Sequence, residues 1–96
     1  MPRYLIEREW PAGSDAAASE WGTEQCGEIV DANLEEGVIW IVSYIDRALD
    51  RTFCLYEAPT PEAVRAASGR SGLPIKRITE VRILEPETRT LRPHPL

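Results

Sequence analysis

The chain has 96 residues, of which 43% are hydrophobic and 28% charged, and its formal net charge is −5. This length and composition are typical of one folded domain and argue against a disordered chain. The negative charge, with no basic cluster longer than Lys76-Arg77, argues against nucleic acid as a partner. No apolar run approaches the roughly 18 residues of a membrane span, so no membrane partner is expected.

The start of the chain and its cysteines bear on location. The sequence opens Met-Pro-Arg-Tyr with no apolar signal core behind it, which predicts a cytoplasmic protein. Two cysteines are present, Cys26 and Cys54, and neither belongs to a C-x-x-C pair. Both are therefore predicted to be free thiols.

The first half of the chain has the pattern strand, helix, strand. Residues 3–10 combine β-formers with charges and stop at Pro11-Ala-Gly13, which predicts the first strand. The Ala- and Glu-rich stretch from Ser14, a suitable N-cap, to about Asn33 predicts the first helix. Gly37 then leads into the β-branched and aromatic run 38–45, which predicts the second strand.

The second half repeats this order. Residues 51–57 predict a third strand, and the short polar loop before them suits a hairpin. Thr60-Pro61-Glu62 predicts the start of a second helix, because it offers a capping hydroxyl, a first-turn proline and a first-turn acid. Residues 78–84 alternate and predict a fourth strand. We therefore expect a domain over residues 1–84 and a Pro-rich tail over residues 85–96.

The order β-α-β-β-α-β predicts an α+β fold, the ferredoxin-like plait, in which both helices cover one face of a four-stranded antiparallel sheet. Alternation assigns to the helix-covered face Tyr4, Ile6, Ile39, Ile41, Ile45, Phe53, Leu55, Val81 and Ile83. The open face is predicted to carry Leu5, Glu7, Glu9, Trp40, Val42, Tyr44, Cys54, Tyr56, Glu80 and Arg82. Because these aromatic side chains would leave an apolar patch on a monomer, we expect a homodimer that packs through or near the open face.

Several strings, in order and at compatible spacing, resemble a known family. They are residues 1–9, residues 52–59, residues 62–65, and Gly72-Leu-Pro74 followed by residues 77–81. The family they resemble is a group of small bacterial nickel-binding proteins, dimeric and ferredoxin-like, catalogued as a domain of unknown function. The resemblance covers residues 1 to about 84 and implies a homodimer and, in some members, a nickel ion at the protein surface.

Two histidines of the family pattern are missing here. They correspond to Val42 and Ala67, and the single histidine of the chain is His94. Nickel prefers imidazole and thiolate ligands. For nickel or another divalent metal, the candidate ligands are Cys54, Glu7, Glu80 and His94. The first functional hypothesis is thus a dimeric metal-binding protein that is not an enzyme.

The second hypothesis is a cofactor-independent enzyme of the isomerase or cyclase type, or a binder of a small organic ligand, in a cleft on the open face. Glu7, desolvated there, would be the catalytic acid or base. The pocket is predicted to be lined by Glu7, Trp40, Tyr44, Cys54, Tyr56 and Arg82. Plainer alternatives stay open: Glu7 in an ion pair with Arg82 or Arg8, the aromatic residues as dimer core, and a dimer that binds no ligand.

Overall fold

The computed structural model describes residues 1–10, 23–46, 50–87 and 90–92. Two helices and six strands lie in these ranges. In chain order they are β1 (Arg3–Glu9), α1 (Thr23–Glu35), β2 (Ile39–Ile45), β3 (Arg51–Glu57), α2 (Pro61–Ser71), β4 (Arg77–Val81), β5 (Ile83–Glu85) and β6 (Thr90–Arg92). Within the described residues, neither helix has the length and apolar character needed to cross a membrane.

The main sheet has the strand order β2-β3-β1-β4, and every neighbouring pair is antiparallel. Sequential strands that are not neighbours, such as β1 and β2, are joined across a helix, which is the connectivity of the ferredoxin-like plait. The predicted α+β fold is therefore confirmed, with α1 and α2 on one face of the sheet. The other face of the sheet is the open face.

The prediction of which residues lie on the helix-covered face of the sheet was right for β1 and wrong for β3. Ile6 lies opposite Cys54 and Tyr4 lies opposite Tyr56, and directly opposed residues project to the same face. The buried core formed by these four side chains includes Val64 and Ala67 of α2, so it lies under the helices. Two further residues, Phe53 and Leu55, lie opposite Glu7 and Leu5 on the open face.

The second strand contains an irregularity that reverses part of its pattern. The register between β2 and β3 shifts between Trp40 and Val42, where Ile41 is the extra residue. Such a bulge reverses the face of the sheet to which the side chains on one side of it point. Trp40 therefore packs against the helix-side core, while Val42 lies opposite Leu55 on the open face. Ile39, which lies opposite Glu57, is also on the open face, contrary to its prediction.

The C-terminal part of the sheet is shorter than predicted. β4 ends at Val81, and β5 and β6 form a separate two-stranded sheet, so the expected boundary at residue 84 falls inside β5. Glu80 lies opposite Tyr4 and is on the helix side, whereas Val81 lies opposite Arg3 on the open face. For each of these two residues the sequence predicts the opposite face, and both predictions are wrong. Arg82 is exposed between β4 and β5.

The second helix has the ends that its sequence predicts. Thr60 is in an extended conformation, and its hydroxyl accepts a hydrogen bond from the backbone N–H of Ala63 at 3.1 Å. Pro61 occupies the first turn, and Gly72 closes the helix in the left-handed conformation, with φ of 68°. The first helix is described from Thr23 onward, so the predicted cap at Ser14 lies outside the described residues.

The Thr60 cap gives a test of the energetics of α2. We expect Thr60→Ala to lower the free energy of unfolding by about 1 kcal/mol, because one N-terminal N–H of the helix loses its acceptor. Thr60→Ser keeps the hydroxyl and should stay within about 0.5 kcal/mol of the wild type. Urea denaturation measures both variants, and equal stabilities for Ala and Ser at this position would contradict the cap.

Candidate functional site

The predicted pocket residues do not lie together. Glu7 and Tyr44 are on the open face, whereas Trp40, Cys54 and Tyr56 are packed under the helices. Trp40 meets the Tyr56 ring edge-on, with centroids 6.5 Å apart. These two rings are therefore part of the core and not of a cleft around Glu7. An enzyme that uses Glu7 beneath all three aromatic rings does not have its site assembled in this chain.

The predicted metal ligands are also separated. Cys54 is 1% exposed within the helix-side core, Glu7 is on the opposite face, and Glu80 is exposed on β4. His94 lies outside the described residues. Over the ranges that the structure describes, no three side chains of His, Cys, Asp or Glu come together. The positions of the two missing family histidines, Val42 and Ala67, likewise lie on opposite sides of the sheet.

Charged side chains occupy one end of the open face. The Lys76 ammonium lies 2.8 Å from a carboxylate oxygen of Glu9 and 3.6 Å from one of Glu7. The hydrogen bond and the charge of Lys76 lower the pKa of Glu9, and Glu9 in turn raises the pKa of Lys76. Glu7 also faces Arg77 across the β1–β4 pair. The ion-pair alternative for Glu7 is thus the observed one, with Lys76 as the partner instead of Arg8 or Arg82.

The apolar part of the open face is concentrated at one edge of the sheet. Leu55, on an inner strand, is only 2% exposed, but on β2 Tyr44 is 54% exposed, Ile39 43% and Val42 37%. β2 is an edge strand and has no charged residue, whereas β4, the other edge, carries Arg77 and Glu80. An uncharged, apolar edge is a surface on which proteins pair with other chains.

A buried arginine lies on the other side of the sheet. Arg8 has no exposed surface. Its Nη1 donates to the carbonyl oxygen of Pro74 at 2.9 Å, and its Nη2 donates to the Tyr56 hydroxyl at 2.9 Å and to Ser68 Oγ at 3.1 Å. The guanidinium carbon also lies 5.6 Å from the centre of the Tyr56 ring. One side chain thereby ties β1, β3, the end of α2 and the loop that follows it.

No carboxylate neutralises this guanidinium through any hydrogen bond or ion pair of the described residues. Burial raises the pKa of the Tyr56 phenol, an effect that the charge of Arg8 opposes, so the hydroxyl stays neutral near pH 7. Ser68 belongs to the last turns of α2, where the negative end of the helix dipole favours a cation. Among the described residues, the charge of Arg8 is therefore met by hydrogen-bonding dipoles and by the face of the Tyr56 ring.

The same cluster contains polar atoms without partners. Asn33 of α1 has no exposed surface, and its amide lies near enough to Tyr56 to lower the pKa of that phenol. Even so, neither Oδ1 nor Nδ2 of Asn33 makes a hydrogen bond of good geometry, and Arg8 Nε has no partner. Buried polar groups without partners are uncommon and point to strain, function or a bound molecule.

The sequence reading passed over this cluster, although one signal for it was present. In β1 the alternation that places Tyr4 and Ile6 in the core places Arg8 there as well. The sequence pattern indicates Arg8 only as an ion-pair partner for Glu7, its neighbour on the opposite face. Asn33 and Ser68 gave no comparable signal, because a polar residue on a helix is usually exposed.

The Tyr56 hydroxyl is the most direct test of the Arg8 cluster. Tyr56→Phe removes the acceptor of Arg8 Nη2 and should lower the free energy of unfolding by about 1–3 kcal/mol, since a buried charged donor loses a partner. Arg65→Met is the control, because Arg65 is exposed on α2 and away from the open face, and it should change stability by less than about 0.5 kcal/mol. Chemical denaturation compares the two variants, and equal effects would contradict the cluster.

Comparison with known proteins identifies the family of this chain. The family model described as "Nickel responsive protein SCO4226-like" matches residues 4–81. The crystal structure of SCO4226 from Streptomyces coelicolor A3(2) superposes with a TM-score of 0.58 and 23% sequence identity, covering 82% of this chain and 94% of that chain. No curated protein matches significantly. The structural match supports the fold, and the family match over most of the chain confirms the resemblance seen in the sequence: this chain belongs to the family of nickel responsive proteins like SCO4226.

Proposed function

We propose that this protein is a nickel-responsive binding protein that works as a homodimer paired through the open face of its sheet. Membership of the family supports the nickel response. The observation that carries the dimer is the uncovered apolar surface of β2, where Ile39, Val42 and Tyr44 all project from the same face. A bacterial, cytoplasmic setting, which the sequence predicts, is part of the same proposal.

The open face suits a second copy of the chain better than an unrelated partner. Its apolar centre is bordered at one end by Arg3, which pairs with Glu57 at 2.8 Å, and at the other by the Glu7, Glu9 and Lys76 group. Each end of the open face therefore carries both positive and negative side chains. When a two-fold axis brings two copies of the chain together, opposite charges can face each other without repulsion. Two sheets packed face to face, with the two-fold axis beside β2, would bury the β2 side chains of both copies against each other.

A charge placed on the open face should separate the two copies. We expect Tyr44→Lys to convert the dimer to a monomer, because it desolvates an ammonium at the centre of an apolar interface. Leu34→Lys is the control, since Leu34 is similarly exposed, at 55%, but lies on α1. Light scattering after size exclusion gives both masses. A monomeric wild type, or a Tyr44→Lys variant that stays dimeric, would contradict the interface.

The nickel part of the proposal is limited by the available donors. The described residues of one chain do not fit a nickel ion, because Cys54 is sealed in the core and the carboxylates of the open face are paired with basic side chains. The chain's single imidazole, on His94, lies outside those residues. We therefore propose His94 as the nickel ligand, with weak affinity, since one imidazole with carboxylates makes a poor cage.

Calorimetric titration with nickel tests this assignment. We expect a dissociation constant near 100 μM, about −5.5 kcal/mol, which is lost in His94→Ala and unchanged in Cys54→Ala. Cys54→Ala serves as the control because it alters a buried thiol without touching the imidazole. Binding that survives His94→Ala and disappears in Cys54→Ala would instead favour the thiolate ligand first predicted from the sequence. No binding of about 100 μM or tighter would contradict the metal proposal.

A further inference from the structure

A groove lies between the two helices, on the side of the sheet away from the open face. Its volume is about 220 Å³, and it is lined by Glu28, Ile29, Ala32, Arg70, Ser71 and Leu73. This volume is below the range of pockets for drug-sized ligands, so the groove suits a small molecule. Three of the six lining residues are apolar, and they give such a molecule a hydrocarbon wall to pack against.

The charged side chains around the groove are mostly acidic. Arg70 is the only basic residue among the six, and its guanidinium is paired with Glu36 at 2.6 Å and with Glu35 at 3.0 Å. Glu28 also lines the groove, and it has no ion pair or hydrogen bond with any other residue that the structure describes. An unpaired carboxylate beside two paired ones makes the local potential negative, which attracts a cation.

A hydroxyl in the same lining is buried without a partner. Ser71 Oγ is shielded from water and makes no hydrogen bond to the described part of the chain. A hydroxyl oxygen can accept a hydrogen bond, and a buried polar atom without a partner can mark the place of a bound molecule. Ser71 is also the last residue of α2, where the negative end of the helix dipole favours positive charge. The hydroxyl and the helix end therefore both suit a cationic donor.

We propose that this groove binds a small organic amine in its ammonium form. The ammonium donates hydrogen bonds to the Glu28 carboxylate and to the Ser71 hydroxyl, and the hydrocarbon body lies against Ile29, Ala32 and Leu73. An ammonium has three donors and no acceptor, which matches a lining that offers two oxygen acceptors and an opening to water. The site differs from the proposed nickel and dimer sites in position and in ligand chemistry, so each can fail without the others.

Butylamine is the probe, because it joins one ammonium to a short hydrocarbon chain. We expect it to shift the backbone amide resonances of Ile29, Ala32 and Ser71 in proton–nitrogen NMR spectra, with a dissociation constant of about 1–10 mM. Three matched compounds separate the charge from the hydrocarbon body: butyrate has the opposite charge, 1-butanol has none, and ammonium chloride has the charge alone. At constant ionic strength each should bind at least about fivefold more weakly than butylamine.

Three variants and a control locate the binding. Glu28→Gln removes the charge and Ser71→Ala removes the hydroxyl, and each should weaken butylamine binding about fivefold. Ala32→Leu fills part of the groove and should weaken it by at least as much. Asp31→Asn is the matched control, since it removes one negative charge from an exposed position of α1 outside the groove, and it should change binding less than about twofold. If Ala32→Leu does not fold, the other two variants still decide the question.

Three results would overturn the proposal. The first is the absence of any shift of these amide resonances at about 50 mM butylamine, a concentration that would nearly saturate a site of the expected affinity. The second is an equal loss of binding in Glu28→Gln and Asp31→Asn, which would attribute the attraction to the overall negative charge of the chain. The third is binding of 1-butanol or of ammonium chloride as tight as that of butylamine, since the groove would then recognise only one half of the ligand.

Discussion

The burial of one positive charge, on Arg8, is the constraint around which the helix side of this domain is organised. A guanidinium withdrawn from water is costly unless its hydrogens find acceptors. Here those acceptors come from three separate parts of the chain: the Tyr56 hydroxyl on β3, Ser68 on α2 and the Pro74 carbonyl beyond that helix. The position of α2 over the sheet and the course of the chain after Gly72 are therefore coupled to one side chain of β1.

The two faces of the sheet solve different problems. The helix side is sealed, and its difficulty is polar: it holds a cation and an amide whose partners are incomplete. On the open face acids and bases pair with one another, although Arg3 Nη1 and Arg51 Nε are also buried without partners, and the larger difficulty is apolar: β2 leaves Ile39, Val42 and Tyr44 exposed to water. The first is the cost of a buried charge, which polar groups inside the domain offset, and the second is the cost of apolar side chains in water, which an apolar partner would remove.

The family match of this chain concerns its architecture, whereas few of its residues are suited to bind nickel. The match over residues 4–81 includes all four strands of the main sheet and both helices, so the shared feature is the architecture. The donors that a nickel ion prefers are scarce within it, because Ala67 is part of the packed core, Val42 belongs to the apolar open face, and Cys54 is enclosed beneath the helices. Of the two positions at which the resemblance places histidines, Ala67 packs in the core and Val42 is an exposed apolar residue, so neither offers a metal donor.

The sequence by itself determined the order of the elements, the ends of α2 and the family. These features are local: Thr60, Pro61 and Gly72 act on the ends of their own helix, and β3 is rich in β-forming residues along its whole length. What only the tertiary structure decided was the face on which each strand residue lies. In β3 both alternating sets are apolar, Phe53 with Leu55 and Cys54 with Tyr56, so alternation groups the residues without choosing the buried set. The choice comes from the register with β1 and from the bulge at Ile41, which depend on contacts between strands far apart in the chain. The Arg8 cluster escaped prediction for the same reason, because its partners meet only when β1, β3 and the end of α2 have packed together.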